Sequence, residues 1–271
     1  MKKRLAVLLS GFMILGLALT GCGSGQKAEP STEAASDSSM VYAVEAGSAG
    51  AAAAEENGFE VNEVASQADA LMEVQSGTSD AAIIDLLMAG AMIGEGTSYP
   101  DLVHTDELTT EEYGVGCRKG SDLASFINQV FYTTFSDGTL QEIATQYGVQ
   151  EALVDQPEST YEASESDSDV EAIKAKGKLV VGITDFAPMD YKDDKGEWIG
   201  FDADMARIVG EELGVDVEFV EIDWDNKIME LDSKNIDVVW NGMTLTDEVT
   251  SAMSCSNPYC NNAQVVVVPA E

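Results

Sequence analysis

Acidic and aromatic residues stand where predicted strands end, and their types suit the recognition of a cation. Glu45 and Asp85 each close an apolar segment, and Asp185 and Phe186 follow a third, while Trp224 lies just beyond a fourth. Carboxylates pair with an ammonium group, and aromatic rings attract it through the negative face of their π systems. These residues predict a pocket for an amine-bearing solute, and the alternative is that some of the acids only cap helices.

Composition excludes several classes of function. His104 is the single histidine, it has no nucleophile pattern around it, and the four cysteines lack zinc-ligand spacing. We therefore expect no catalytic residue, no metal ion and no cofactor. The net charge of −35, from 14 basic and 49 acidic residues, also argues against nucleic acid as a partner, since phosphate binding requires Lys and Arg.

Strands alternate with helices in the first folded part of the chain. A strand from Val41 runs into the Gly47–Gly50 turn, and a helix then begins at Ala51, so that backbone N–H groups face a possible carboxylate. The pattern continues with a strand over 59–64, a helix over 66–76, a strand over 77–85 and a helix over 86–93. Alternation of this kind predicts a doubly wound, mostly parallel sheet that binds ligands at the carboxyl ends of its strands, where Glu45, Ser48 and Asp85 fall.

The last part of the chain has a similar pattern. Leu179–Ile183 reads as a buried strand, 193–196 as a turn, and a helix begins near Gly200 with Asp202 as its N-cap. Further strands are predicted over 215–220, from 235 and over 264–268, with a helix over 227–231 between the first two. This part therefore predicts a second α/β unit.

The N-terminus resembles a secretion signal. Residues 1–21 have a basic start and an apolar run that is shorter than the roughly 20 residues of a membrane-spanning helix. A retained membrane anchor is the alternative. Leu19–Cys22 matches a lipobox, in which Cys22 receives lipid, and residues 22–40 read as a flexible tether. We expect a lipoprotein on the extracellular face of the cell membrane.

The stretch from Lys178 to Asp204 resembles the start of the extracellular solute-binding proteins that supply polar amino acids to ABC importers. The first folded segment, over 41–93, is similar to the second lobe of the same family. The resemblance implies a two-lobed α/β fold, of type II periplasmic binding protein architecture, with the ligand between the lobes. It also implies that the chain is a monomer, captures a small solute by lobe closure and delivers it to an importer permease.

The same resemblance implies roles for individual residues. Asp85 would hold the ligand's amino group, Gly242 and Thr244 with Met243 between them would line or bond it, and Phe186 and Trp224 would stack on it. One position departs from the family pattern, because Val249 stands where an arginine usually grips the ligand's α-carboxylate. This departure favours a cationic, amine-bearing ligand over an ordinary amino acid.

The order of the segments is rotated relative to the family. The second lobe comes first, over 41–111, and the return strand and closing helices follow over 112–150. An acidic linker, 151–169, leads to the main part of the first lobe, 170–271. We interpret this order as a circular permutation with its breakpoint between Pro269 and Val41. Two fragments of tandem domains, completed by another chain, remain the alternative.

Three further possibilities stay open in the sequence. The fold also hosts dehydratases, in which Asp185 or Glu45 would act as general acid or base. A sensory module that binds solute without transport is another. Cys117, Cys255 and Cys260 could include one disulfide or be buried thiols.

Overall fold

The protein, described by a computed structural model over residues 40–164 and 166–270, alternates strands and helices, which confirms the predicted α/β class. The strands are β1 (Val41–Glu45), β2 (Glu60–Val64), β3 (Ala81–Asp85), β4 (Leu102–Glu107), β5 (Glu111–Cys117), β6 (Lys178–Ile183), β7 (Tyr191–Lys192), β8 (Trp198–Ile199), β9 (Asp216–Glu221), β10 (Val238–Thr244), β11 (Ser254–Cys255), β12 (Cys260–Asn262) and β13 (Gln264–Pro269). The helices are α1 (Ala49–Asn57), α2 (Gln67–Ser76), α3 (Leu86–Met92), α4 (Leu123–Asp137), α5 (Thr139–Tyr147), α6 (Asp169–Lys176), α7 (Phe201–Leu213), α8 (Lys227–Asp232) and α9 (Asp247–Ala252).

Serines begin the first two helices and glycines end them, which explains their bounds. The Ser48 hydroxyl oxygen accepts a hydrogen bond from the Ala51 N–H at 3.1 Å and so caps α1. Such a cap satisfies one of the donors that the first helical turn leaves unpaired. Gly58 ends α1 with φ +69°, a left-handed conformation that glycine adopts without steric cost. Ser66 and Gly77 bound α2 in the same way.

The first sheet contains five strands in the order β2-β1-β3-β13-β4. β1 runs parallel to β2 and β3, whereas β13, from the far end of the chain, pairs antiparallel with β3 and β4. Since β1 and β3 are parallel, their carboxyl ends lie at the same edge of the sheet. That edge carries Glu45 and Asp85, the last residues of the two strands.

The second sheet has the order β11-β5-β10-β6-β9, with β12 beside β5. β10, β6 and β9 are parallel, and β5 pairs antiparallel with β10. β5 comes from the N-terminal half of the chain and β10 from the C-terminal half. Each of these two sheets is therefore built from both halves of the chain, whereas β7 and β8 form a separate two-stranded sheet within the C-terminal half.

Two connections between the sheets lie side by side. Residues 108–110 lead from β4 to β5, and Ala263 leads from β12 to β13. The Leu108 N–H donates to the Gln264 carbonyl at 2.8 Å, and the Gln264 N–H donates to the Thr109 hydroxyl at 2.9 Å. Over residues 40–164 and 166–270 these are the places where the chain passes between the sheets. Short connections of this kind are where two lobes would hinge.

Two details differ from the sequence-based expectations. Both sheets are mixed rather than mostly parallel, because the strands next to the connections run against their neighbours. The prediction of Asp202 as an N-cap is wrong, since Gly200 occupies that position and Asp202 lies inside α7. Asp202 is fully buried, and its carboxylate accepts a hydrogen bond from the Gly242 N–H at 2.6 Å.

The described part of the acidic segment 151–169 contacts the loop between β11 and β12 and the helix α4. Gln156 is buried, and its amide donates to the Pro258 carbonyl at 2.9 Å. Tyr161 packs edge-on against Phe126, with 5.3 Å between the ring centroids. The segment expected as an exposed linker thus follows the fold closely.

The cysteines in the described chain are unpaired thiols. Cys117 is buried in β5, and Cys255 lies in the neighbouring strand β11. None of the described helices combines the length and the apolar composition that crossing a membrane requires. The predicted signal over 1–21 and lipidated Cys22 lie outside the described residues, as does the tether up to residue 39.

Candidate functional site

A cavity of about 310 Å³ lies between the two sheets, at the carboxyl ends of β1, β3 and β10. In α/β sheets this is where ligands bind. One wall comes from the first sheet and the other from the second. The residues from the sequence-predicted site that line it are Glu45, Ser48, Asp85, Phe186, Trp224, Gly242, Met243 and Thr244.

Asp185 is the member of the predicted site that does not line this cavity. Its side chain is exposed and borders a separate hollow with Pro188 and Lys192. Phe186, the next residue, is buried and lines the cavity. Successive side chains of an extended chain point in opposite directions, so a loop that directs Phe186 inward directs Asp185 outward.

Asp85 is surrounded by donors of the protein itself. One carboxylate oxygen accepts hydrogen bonds from the Tyr113 hydroxyl at 2.6 Å, the Gln264 amide at 3.1 Å and the Asn262 amide. The other oxygen accepts one from the Gln67 amide. The resemblance implies that Asp85 holds a ligand's amino group, but most of its acceptor capacity is already used. Asp85 therefore holds the side chains of its donors in place in addition to lining the cavity.

Glu45 differs from Asp85 because one of its oxygens is unused. Its side chain is buried, and Oε1 has no hydrogen-bond partner among the described residues. Burial, with the nearby Asp85 charge, raises the pKa of Glu45 to about 8, and Lys227 opposes that shift. Burial, with the Glu111 charge, raises the pKa of Asp85 to about 7. The first wall therefore presents a protonatable acceptor to the cavity.

The second wall depends on the close contact of Gly242 with Phe186. Gly242 has φ +55°, and a Cβ there would lie 2.4 Å from Cε1 of the Phe186 ring. Its N–H already donates to Asp202, so that group is not available to a ligand. The Thr244 hydroxyl likewise donates to the Glu111 carboxylate. The contacts that the resemblance implies for Gly242 and Thr244 would have to come from their other atoms.

Lys227 is a cavity residue that the sequence reasoning missed. It is the first residue of α8 and is 6% exposed, and its Nζ lies 4.9 Å from the centroid of the Trp224 ring. The cation at this ring face is therefore supplied by the protein itself. Other missed lining residues include Gln67, Asn241 and Glu248. Position at the start of a helix was the available signal for Gln67, whereas Asn241 lies in the middle of β10.

The chemistry of the cavity is that of polar recognition. Over the described residues, no group of three His, Cys, Asp or Glu side chains is placed to hold a metal ion. Carboxyl, amide, hydroxyl and ammonium groups surround a space large enough for a small polar molecule. Aromatic rings close its sides. This arrangement suits binding by hydrogen bonds and charge.

Comparison with known proteins gives matches to the C-terminal part of the chain. Residues 179–271 match the family of bacterial extracellular solute-binding proteins, family 3. The L-cystine-binding protein TcyJ of Escherichia coli K12 is 35% identical over 88 residues, which are 32% of this chain and 33% of TcyJ. Cyclohexadienyl dehydratase of Pseudomonas aeruginosa is 28% identical over 102 residues, 37% of this chain and 38% of the enzyme.

Among solved structures, the arginine-bound form of domain 1 from TmArgBP, the ArgBP of T. maritima, is 34% identical with a TM-score of 0.32. The match covers 36% of this chain and 84% of that domain. The chain spans about a third of the length of the curated relatives that it matches.

Proposed function

We propose that this chain, whose residues 179–271 match the family of bacterial extracellular solute-binding proteins, family 3, captures a small amine-bearing polar solute for an ABC importer. The observation that carries the proposal is the buried Glu45 carboxyl, which faces the cavity with one oxygen unpartnered in the described structure. A buried acceptor without a partner is costly, and a ligand donor would remove that cost. Amino-acid binding by relatives such as TcyJ supports the same reading.

An ammonium group in the cavity would pair with Glu45, which lines it. Its approach favours the ionised form of Glu45, so binding would release the proton that burial otherwise retains. Phe186 and Trp224 would cover the apolar part of the solute. The side-by-side connections at residues 108–110 and Ala263 would act as the hinge for lobe closure.

A thermal-shift screen tests the binding role directly. The purified chain without residues 1–21 is mixed with amino acids and small amines, and circular dichroism verifies that it is folded. A ligand at a hundred times its Kd adds about 2.7 kcal/mol to the free energy of unfolding, which raises Tm by several degrees. A folded protein whose Tm responds to no compound of the panel contradicts the proposal.

An enzymatic role is the second candidate, and one observation favours it. Glu45, with its pKa raised to about 8, could act as a general acid or base at neutral pH, and one relative is a dehydratase. Incubation of the bound ligand with the protein, followed by mass spectrometry, separates the two roles. An unchanged ligand after many hours supports binding alone, and a product that Glu45→Gln fails to form supports an enzyme.

Anchoring through Cys22 is part of the proposal. Several acyl chains on one cysteine would hold the protein stably at the extracellular face of the membrane. Expression of the full chain and of Cys22→Ser, followed by detergent phase partition, checks this. The wild type should enter the detergent phase and the variant the aqueous phase. Equal partition of both proteins would exclude lipidation at Cys22.

A circular permutation of the family order is part of the proposal, and the sheets built from both halves of the chain support it. A rearranged chain, with residues 151–269 placed before 41–150 through a short linker, should fold and bind the same solute. Size-exclusion chromatography with light scattering should give a monomer for the natural order. A dimer whose binding disappears on dilution would favour exchange of segments between chains instead.

A further inference from the structure

Lys227 is a buried ammonium group whose pairing is incomplete. Its Nζ donates to the Gly47 carbonyl at 2.8 Å and to the Trp224 carbonyl at 3.3 Å. The ion pairs of the described chain do not include it, so no described carboxylate lies within 4.0 Å of Nζ. An ammonium group has three N–H donors. Two donors are thus used within the described chain, and the third has no described partner beside the cavity that Lys227 lines.

The surroundings of Lys227 do not neutralise it fully. Burial lowers its pKa, while Glu248, Glu45 and Asp225 act in the opposite direction from beyond ion-pair distance. Burying a charge without a close partner is unfavourable. The Gly47 contact also places Nζ beside the start of α1, where the first backbone N–H groups carry partial positive charge. This corner of the cavity is therefore the favourable place for an anionic group.

Val249 lines the same cavity as Lys227. It occupies the position at which the sequence resemblance predicts a carboxylate-binding arginine, and its side chain has neither charge nor donor. Lys227 comes from a different helix, α8 instead of α9. The missing positive charge is thus supplied from another point of the wall.

The cavity therefore contains two complementary unsatisfied groups. Lys227 offers a donor and a positive charge, and Glu45 offers an acceptor. A simple amine or a diamine would satisfy Glu45 and leave Lys227 unpaired. A molecule that carries both an ammonium and a carboxylate would satisfy both groups.

We infer that Lys227 is a specificity-determining residue that binds the carboxylate of the ligand in place of the absent arginine, so that the site selects zwitterions over amines. The inference rests on the proposed function, since it concerns the ligand of that site. It also revises the sequence-based expectation that the departure at Val249 favours a ligand without a carboxylate.

Matched pairs of ligands test the inference. Isothermal titration calorimetry compares each amino acid with its decarboxylated amine: arginine with agmatine, lysine with cadaverine, histidine with histamine and cystine with cystamine. For the pair that binds, the wild type should bind the amino acid at least about tenfold more tightly, as a charge-assisted hydrogen bond implies. Equal affinity for both members of that pair overturns the inference without any variant.

Variants then assign the preference to Lys227. Lys227→Met should weaken binding of the amino acid alone and bring the two affinities to within about threefold. The double variant Lys227→Met/Val249→Arg should restore the preference. Lys195→Met, in an exposed turn, removes one positive charge elsewhere and should leave the preference unchanged.

The outcomes separate this inference from the proposed function. An undiminished preference in Lys227→Met overturns the inference while binding itself stands. If Lys227→Met does not fold, Lys227→Gln replaces it, since glutamine is polar and has no charge, and an undiminished preference in that variant likewise overturns the inference. A folded wild type that binds no member of any pair overturns both proposals, starting with the binding role.

Discussion

The two walls of the cleft each have a pair of buried carboxyl groups: Glu45 and Asp85 in the first wall, and Asp190 and Asp202 behind the second wall. The pairs differ in their surroundings, because one pair borders the cavity and the other is enclosed by protein. Burial raises the pKa of all four acids, Glu45 to about 8, Asp85 and Asp202 to about 7, and Asp190 well above its usual value. Glu45 and Asp85 line the cavity. Asp190 and Asp202 are fully enclosed in the core. A raised pKa alone therefore indicates that a carboxyl group is buried. A carboxyl group that also borders the cavity is a candidate for ligand binding.

The enclosed pair acts on the cavity through the backbone. Asp202 accepts hydrogen bonds from the Gly242 N–H at 2.6 Å and from the Tyr259 hydroxyl at 2.8 Å. The backbone carbonyl of Asp190 accepts one from the Phe186 N–H at 2.6 Å. These contacts position Gly242 and Phe186, two residues of the second wall. Because only the Asp202 contacts are made by a side chain, we expect substitution of Asp202 to change stability and substitution of Glu45 to change binding.

The largest expected effect is on stability, from Asp202→Ala. This change leaves the Gly242 N–H and the Tyr259 hydroxyl without their acceptor and should lower the free energy of unfolding by about 3 kcal/mol. Urea denaturation measures it. Asp202→Asn is the matched control, because its amide oxygen can accept from the same donors, and it should cost less than about 1 kcal/mol. Equal stability of Asp202→Ala and the wild type would contradict a supporting role for Asp202.

The next effect is on binding, from Glu45→Gln. Glutamine resembles the protonated form that burial favours, so stability at pH 6 should change little. Affinity for an amine-bearing ligand should fall by at least about tenfold, because a charge-assisted hydrogen bond is lost. Calorimetry measures both variants, with Glu60→Gln, an exposed acid of β2, as the control. A loss of stability without a loss of affinity would mean that Glu45 has a structural role, as Asp202 does, and does not bind the ligand.

The pH dependence of stability should differ between wild type and Glu45→Gln. Between pH 4.5 and about 8 the folded chain keeps a proton on Glu45 that the unfolded chain has lost, so stability falls as pH rises through this window. Asp85 and Asp223 strengthen the shift and Lys227 opposes it. Removing Glu45 should reduce the decrease from pH 5 to pH 8 by at least about 1 kcal/mol.

Calorimetric Tm values of the ligand-free proteins at the two pH values provide this measurement. Asp85 and Asp202, whose pKa values are about 7, give a slope of the same sign, so part of the decrease should persist in Glu45→Gln. Identical slopes in the two proteins would show that Glu45 titrates as an exposed acid does.

The first wall was predictable from the sequence because its residues end strands. The apolar runs before Glu45 and Asp85 fix both the strands and the edge at which they stop. The sequence-based prediction placed both Asp185 and Phe186 in the pocket, although the side chains of adjacent residues in an extended chain point in opposite directions. That alternation was visible in the sequence, and it would have excluded one of the two.

Lys227 could not be predicted in the same way. It looks like an ordinary first residue of a helix, and its burial results from the contact with Gly47, 180 residues away in the chain. The role of Asp202 is similarly long-range, since its donors lie on β10 and next to β12. Sequence patterns describe the period of an element, whereas these contacts depend on how separate elements pack.

The smallest expected effect tests the contact between the walls at Gly47. Gly47 has φ +68°, and a Cβ there would lie 2.8 Å from the Asp225 Cα, on the opposite wall. Gly58 has φ +69° with open space around it. Alanine at either position should cost about 1 kcal/mol of stability through the left-handed backbone. Only Gly47→Ala should also weaken ligand binding, because the added Cβ would separate the walls and move the Gly47 carbonyl away from Lys227. We expect the affinity to fall by about fivefold, which corresponds to about 1 kcal/mol of binding free energy. Calorimetry on both variants measures the difference, and equal affinities would mean that binding does not require the walls to meet at Gly47.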